Sequence, residues 1–182
     1  MKNALLTLML LTSFTTLGFS QQPKAAKSAP SCDGSLWTFV YHPDRLPAKK
    51  DCRTITGKIR NFKAEADGDL HIRLVVDDKT LVNAKNDAEQ GGALVAEPIC
   101  QFKPTQTDAI QPCKNYKGPK LSMSQACPGA PSKSSAPAKG KEAKTVTCKN
   151  PPLVKITGFY TIDNDHGWME LHTVSKIELA GN

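Results

Sequence analysis

The chain has 182 residues, a formal net charge of +7, six cysteines and an aromatic content of 6%. That length suits one domain, and the scarcity of aromatic side chains predicts a core of Val, Ile and Leu. No apolar run after residue 20 is long enough to cross a bilayer, which takes about 20 apolar residues.

Residues 1–20 carry the three parts of a secretory signal. Lys2 supplies the positive start. Leu5, Leu6, Leu8, Met9, Leu10 and Leu11 form the apolar centre, and Gly18 and Ser20 are the small residues before a cut ahead of Gln21. Thr12, Ser13, Thr15 and Thr16 interrupt the run, which argues against a membrane anchor. No cysteine follows the cut at once, so lipid attachment is not expected. The expectation is therefore an exported protein, periplasmic or extracellular. Residues 21–31 are polar, small and punctuated by Pro, which predicts a flexible leader, and residues 32–182 make a single domain.

Within that domain the pattern has period two, the spacing of strands. In Arg53 to Phe62, Ile55 and Ile59 face away from Thr54, Thr56, Lys58 and Arg60. Leu70, Ile72, Leu74 and Val76 likewise oppose His71 and Arg73. Ala93 to Cys100 is a third run, preceded by Gly91-Gly92, and Asn83 to Gln90 suits a turn or two of helix. Val154 to Ile162 is the fourth run and Trp168 to Val174 the fifth, with Met169 and Leu171 opposite Trp168, Glu170 and His172. Gly57 and Gly158 sit inside strands, where glycine marks a bend or a close backbone approach.

Residues 101–150 interrupt this pattern. They hold nine lysines against Asp108 and Glu142, while the rest of the chain is balanced at 15 basic and 15 acidic residues. The segment is rich in Pro, Ser, Ala and Gly without strand or helix periodicity, so it reads as a long solvated loop. Five short strands with a long connection between the third and fourth predict an all-β fold, a small five-stranded Greek-key barrel of OB-fold type. A β-sandwich is the alternative, for which five strands are few.

The cysteines are Cys32, Cys52, Cys100, Cys113, Cys127 and Cys148. An even number in an exported chain predicts disulfides, and without a Cys-x-x-Cys pair neither a zinc ribbon nor a thioredoxin-type site is expected. Fifteen pairings are possible. Nearness in sequence favours Cys32 with Cys52, leaving the other four to pair among themselves.

Several segments resemble a group of small exported bacterial OB-fold proteins. They are Tyr41 to Leu46, Thr54 to Gly57, Asp67-Gly68-Asp69-Leu70-His71, Val154 to Gly158, and Asp163 through His166-Gly167-Trp168-Met169-Glu170-Leu171-His172. The last resembles a closing D-x-x-H-G-W-x-E-I-H-P, with Leu171 for Ile and Thr173 for Pro. The resemblance spans residues 41–100 and 151–179. It implies the fold and export, and no reaction.

The polar residues of interest are His71, Glu97, Asp165, His166, Glu170 and His172. In an OB-type barrel the third strand pairs with the second and the fifth, which brings His71, Glu97, Glu170 and His172 toward one another. No cofactor is expected, although two imidazoles and a carboxylate are a ligand set that would suit a divalent transition metal. Alternating polar residues are also what the solvent face of any antiparallel strand shows, and Asp165 suits a turn cap. No nucleophile elbow and no phosphate-binding glycine loop is present.

Three functions follow. The first is a non-enzymatic binding module whose unidentified ligand meets His71, Arg73 and Trp168, with Lys58 and Arg60 beside them. The second is binding of nucleic acid or another polyanion through the Lys-rich loop, with Phe62, Phe159 or Trp168 stacking on bases. The third is a metal-dependent hydrolase using His71, Glu97, Glu170 and His172.

Overall fold

The computed structural model describes residues 29–47, 51–131, 135–138 and 141–181. The signal and most of the leader lie outside the described residues. Six strands form: β1 (Asp51–Ala64), β2 (Leu70–Val75), β3 (Leu94–Glu97), β4 (Val146–Thr147), β5 (Leu153–Ile162) and β6 (Met169–Leu179). Helix α1 (Ala84–Gln90) lies between β2 and β3, and α2 (Ile110–Cys113) and α3 (Met123–Ala126) lie between β3 and β4.

The sheet runs β2-β3-β6-β5-β1, and β1 returns to pair with β2, so five strands close into a barrel. The two-residue β4 joins the outer edge of β1. Every barrel pairing is antiparallel except β3 with β6, where Glu97 stands opposite His172 and Val95 opposite Glu170. The expected barrel is present, closed by a parallel pair.

The core is aliphatic, as the composition predicts. Ile59, Ile72, Leu74, Leu94, Val154, Ile156 and Leu171 are all fully buried inside the barrel. Closure bends β1 and β5 at their glycines. A Cβ on Gly57 would stand 2.5 Å from the Val75 carbonyl oxygen, and one on Gly158 would stand 2.7 Å from that of Thr173. Both residues fill the place of close approach that a strand glycine marks.

The long connection differs from the plain loop expected of residues 101–150. It contains α2, α3 and β4, pieces too short to show a period. Disulfides Cys100–Cys113 and Cys127–Cys148 staple it, and Cys32–Cys52 ties the N-terminal segment to β1. Cys127 and Cys148 are buried against the barrel core together with Ala126 of α3. Sequence distance thus identifies the Cys32 partner, and three-dimensional packing sorts the other four.

Replacing both Cys127 and Cys148 with Ala opens a 21-residue separation and removes two buried sulfurs. The expected cost is about 3 kcal/mol, read as a lower urea midpoint with native-like circular dichroism retained in buffer.

Two 3-10 segments precede the barrel, Gly34–Phe39 and Pro43–Arg45. Leu36, Val40 and Leu46 pack with Ile99 and Cys100 in a second apolar cluster. That packing anchors the segment that carries Arg45 toward β3 and β6.

Candidate functional site

The strand pairing places the polar residues of β2, β3 and β6 side by side, but not in water. His71 is 4% exposed, Glu97 4%, Glu170 0% and His172 0%. The solvent face expected from their alternation is corrected here, because distant segments cover it. Arg45 reaches Asp163 and Glu97 from the N-terminal segment. Gln90 at the end of α1 accepts from His71 Nε2 at 3.1 Å and from Arg73 Nε at 2.8 Å. Asn86 of α1 donates to the Met169 carbonyl and accepts from the Met169 N–H.

Glu97 is the hub. Its Oε1 lies 3.1 Å from His71 Nδ1, and its Oε2 lies 3.0 Å from His172 Nδ1 and 3.6 Å from Arg45 Nη2. Glu170 Oε1 is 3.1 Å from the same His172 nitrogen, and its Oε2 accepts from the Trp168 indole at 3.0 Å. Asp163 Oδ2 receives both the Arg45 guanidinium and, at 2.9 Å, His166 Nδ1.

The protonation states follow from these partners. Gln90 Oε1 already accepts from Arg73, and His71 faces a carboxylate on its other nitrogen. Both ring nitrogens must then donate, so His71 is an imidazolium. Burial works against that charge, but Glu97 raises the His71 pKa overall. Burial also opposes charge on His172, and Glu170 with Glu97 overcome it, pushing the group up to about 10. Burial pushes the Glu97 carboxyl up, yet His172 and His71 hold it well below the carboxylate range. Asp69 goes the other way: burial, then the charge of Asp67, raise it well above its ordinary value.

Polar satisfaction is incomplete. The two contacts of His172 Nδ1 are ion-pair distances without hydrogen-bond alignment, and neither His172 nitrogen, Glu170 Oε1 nor Asp69 Oδ2 has a hydrogen-bond partner. Among the described residues, two sets of donors lie within 4.8 Å of one another and have the chemistry of a metal site: Glu65-His71-Glu97 and Asp69-Glu97-His172. A third, Asp69 with Cys100 and Cys113, has its sulfurs in a disulfide.

Other expected site residues lie as follows. Trp168 is 8% exposed, with His166 stacked on it at 4.2 Å. Phe62 and Phe159 are 2% and 6% exposed, so none of the three aromatics is free to stack on bases. Asp165 lies exposed in its turn, and Asp163 does the capping instead, its Oδ1 accepting from the backbone N–H of Asp165 and His166. Asp163 sits two residues earlier, which points its carboxylate back across the turn. Arg73 and Arg60 reach the end of α1, at the Glu89 and Gly91 carbonyls.

Arg73 also lines an open cleft of about 300 Å³ with Asn61, Lys63, His71, Glu142, Ala143 and Thr145. The neighbours Asn61↔Arg73 and Lys63↔His71 come from β1–β2 pairing, and the other wall comes from the long connection.

Sequence reasoning missed Arg45, Asp69, Gln90 and Asp163. The D-G-D-x-H run holds a signal for Asp69, two residues before His71, but it reads first as a turn. Among the described residues, no helix is long and apolar enough to cross a membrane. Comparison of the chain with protein-family models finds no match, and comparisons with the curated proteins and with the solved structures likewise find none.

Proposed function

We propose that the protein is an exported, non-enzymatic binding module on an OB-type barrel, and that its ligand is a small anion seated in the cleft beside β1 and β2. The observation that carries this reading is the cleft itself. Lys63, Arg73 and the cationic ring of His71 line it against one carboxylate, Glu142. Lysine and arginine offer charge-assisted donors to phosphate or carboxylate oxygens, and the His71 ring, whose two N–H groups are taken by Glu97 and Gln90, adds only its charge.

The strand order and the parallel β3–β6 closure support the OB reading, and three disulfides suit an oxidising compartment. The burial of Glu97, Glu170 and His172 supports a non-enzymatic role, because a substrate has no access to them. Seven described lysines of the long connection are exposed and provide the competing route for a polyanion.

Calorimetric titration of the full disulfide-bonded chain against inorganic phosphate and a short single-stranded oligonucleotide tests the reading. Lys63→Gln is expected to weaken phosphate binding about tenfold, the loss of one charge-assisted contact. Its unfolding midpoint is expected to stay in place, since the Lys63–Glu65 pair is partly exposed. Failure of both probes to bind, or phosphate binding indifferent to the substitution, overturns the cleft. Oligonucleotide binding with a steep salt slope and no dependence on Lys63 transfers the function to the lysines.

A further inference from the structure

We propose that Asp69, Glu97 and His172 form a closed site for one divalent transition-metal ion, a stabilising site separate from the ligand cleft. One ligand atom of each residue lies within 4.8 Å of the others, a spacing that one ion at ordinary ligand distances spans after small shifts. The chemistry is that of borderline divalent ions such as zinc: one imidazole nitrogen and two carboxylates.

Two observations point to a cation here beyond the proximity. Asp69 is 2% exposed, and its Oδ1 accepts from the Cys100 N–H at 2.7 Å, while its Oδ2 has no partner. His172 is completely buried; its Nδ1 faces Glu97 and Glu170 at 3.0 and 3.1 Å without hydrogen-bond alignment, and its Nε2 has no partner. Buried polar atoms without partners cost about 1–3 kcal/mol each and in native proteins call for an explanation such as an ion.

The charges agree. Four buried carboxylates, Asp69, Glu97, Asp163 and Glu170, face one guanidinium, Arg45, and two imidazoles, His71 and His172. With Asp69 ionised, as a metal ligand must be, the group is anionic even with both rings protonated. A divalent ion on neutral His172, beside the Arg45 and His71 cations, makes it neutral, and the His172 proton leaves to solvent as the metal binds.

The Glu65-His71-Glu97 set is the weaker choice. Both His71 nitrogens are occupied, by Glu97 and Gln90, and Glu65 is paired with Lys63 at 2.8 Å. The Asp69 set is closed to water on every ligand, which suits a structural ion rather than a catalytic one. Burial also means that the ion enters as the chain folds.

The test is to unfold chelator-treated full-length protein with its disulfides intact and refold it with Zn2+ or Co2+. The expected result is one metal per chain retained through gel filtration, a cobalt visible spectrum of nitrogen and oxygen ligation, and a higher melting temperature than the metal-free protein. Histidine side-chain NMR of the zinc form is expected to show the His172 ring perturbed and His71 still doubly protonated. Asp69→Asn is expected to lower affinity by at least about tenfold, and Glu65→Gln to leave it unchanged. No retained metal overturns the proposal. So does loss of binding in Glu65→Gln with retention in Asp69→Asn, which assigns the ion to the other set. Should a variant fail to fold, the wild-type NMR decides alone: a His71 signal that moves while His172 stays fixed overturns the site.

Discussion

Arg45→Met is expected to destabilise the protein by about 3–5 kcal/mol in urea unfolding. The guanidinium bridges Asp163 and Glu97 and lies 4.0 Å from Glu170. Its side chain is 11% exposed, against 6% for Glu97 and 0% for the other two. Burial opposes its charge, and the three carboxylates more than reverse that, raising its pKa. Methionine keeps much of the volume and deletes the charge, so three buried carboxylates lose a shared cation. A loss below about 1 kcal/mol, the range of exposed pairs, would show that water reaches the cluster.

The second large effect is on pH dependence. In metal-free protein the folded pKa of His172 is about 10, against about 6.5 for an unfolded histidine. The folded state therefore holds the proton more tightly. The stability from His172 is fully present below about pH 6.5 and is lost as pH rises through about 10. Asp69, also raised, acts in the same direction. Glu97 acts oppositely: held low, its contribution is present above the ordinary carboxylate range and lost in acid. Urea midpoints are expected to fall steadily between about pH 7 and 10. His172→Gln is expected to cost about 3–5 kcal/mol at neutral pH and to flatten this alkaline limb, since it removes the group that titrates. A variant whose midpoint falls with the same slope as wild type would contradict the assignment.

Much of the barrel was legible because closure leaves local marks. Ile55 and Ile59 alternate against Thr54, Lys58 and Arg60 as the strand demands, and Gly57 and Gly158 stand where the bent strands touch. The convergence of His71, Glu97, Glu170 and His172 followed from strand order. Their burial did not, because what covers them is remote in sequence. Arg45 rides on a three-residue turn, and Gln90 ends a seven-residue helix. Neither has a periodicity that aims it at β3 or β6. Asp163 and Asp165 are both acidic turn residues, and only the path of the turn makes the first of them the cap. The continuation of β6 past Val174 to Leu179 was missed because Ser175 to Glu178 holds one apolar residue, Ile177, which is half-buried against the core.

The cluster around Glu97, Glu170 and His172 is buried, while the cleft at Lys63 and Arg73 is open, and His71 stands between them, bonded to Glu97 and lining the cleft. Backbone and side-chain chemical-shift mapping during titration with inorganic phosphate tests this division most directly. The account predicts perturbations at Asn61, Lys63, Arg73 and Thr145, with the Trp168 indole and the His172 ring unmoved. Shifts centred on Trp168 and His172, or no shifts at all, would contradict it.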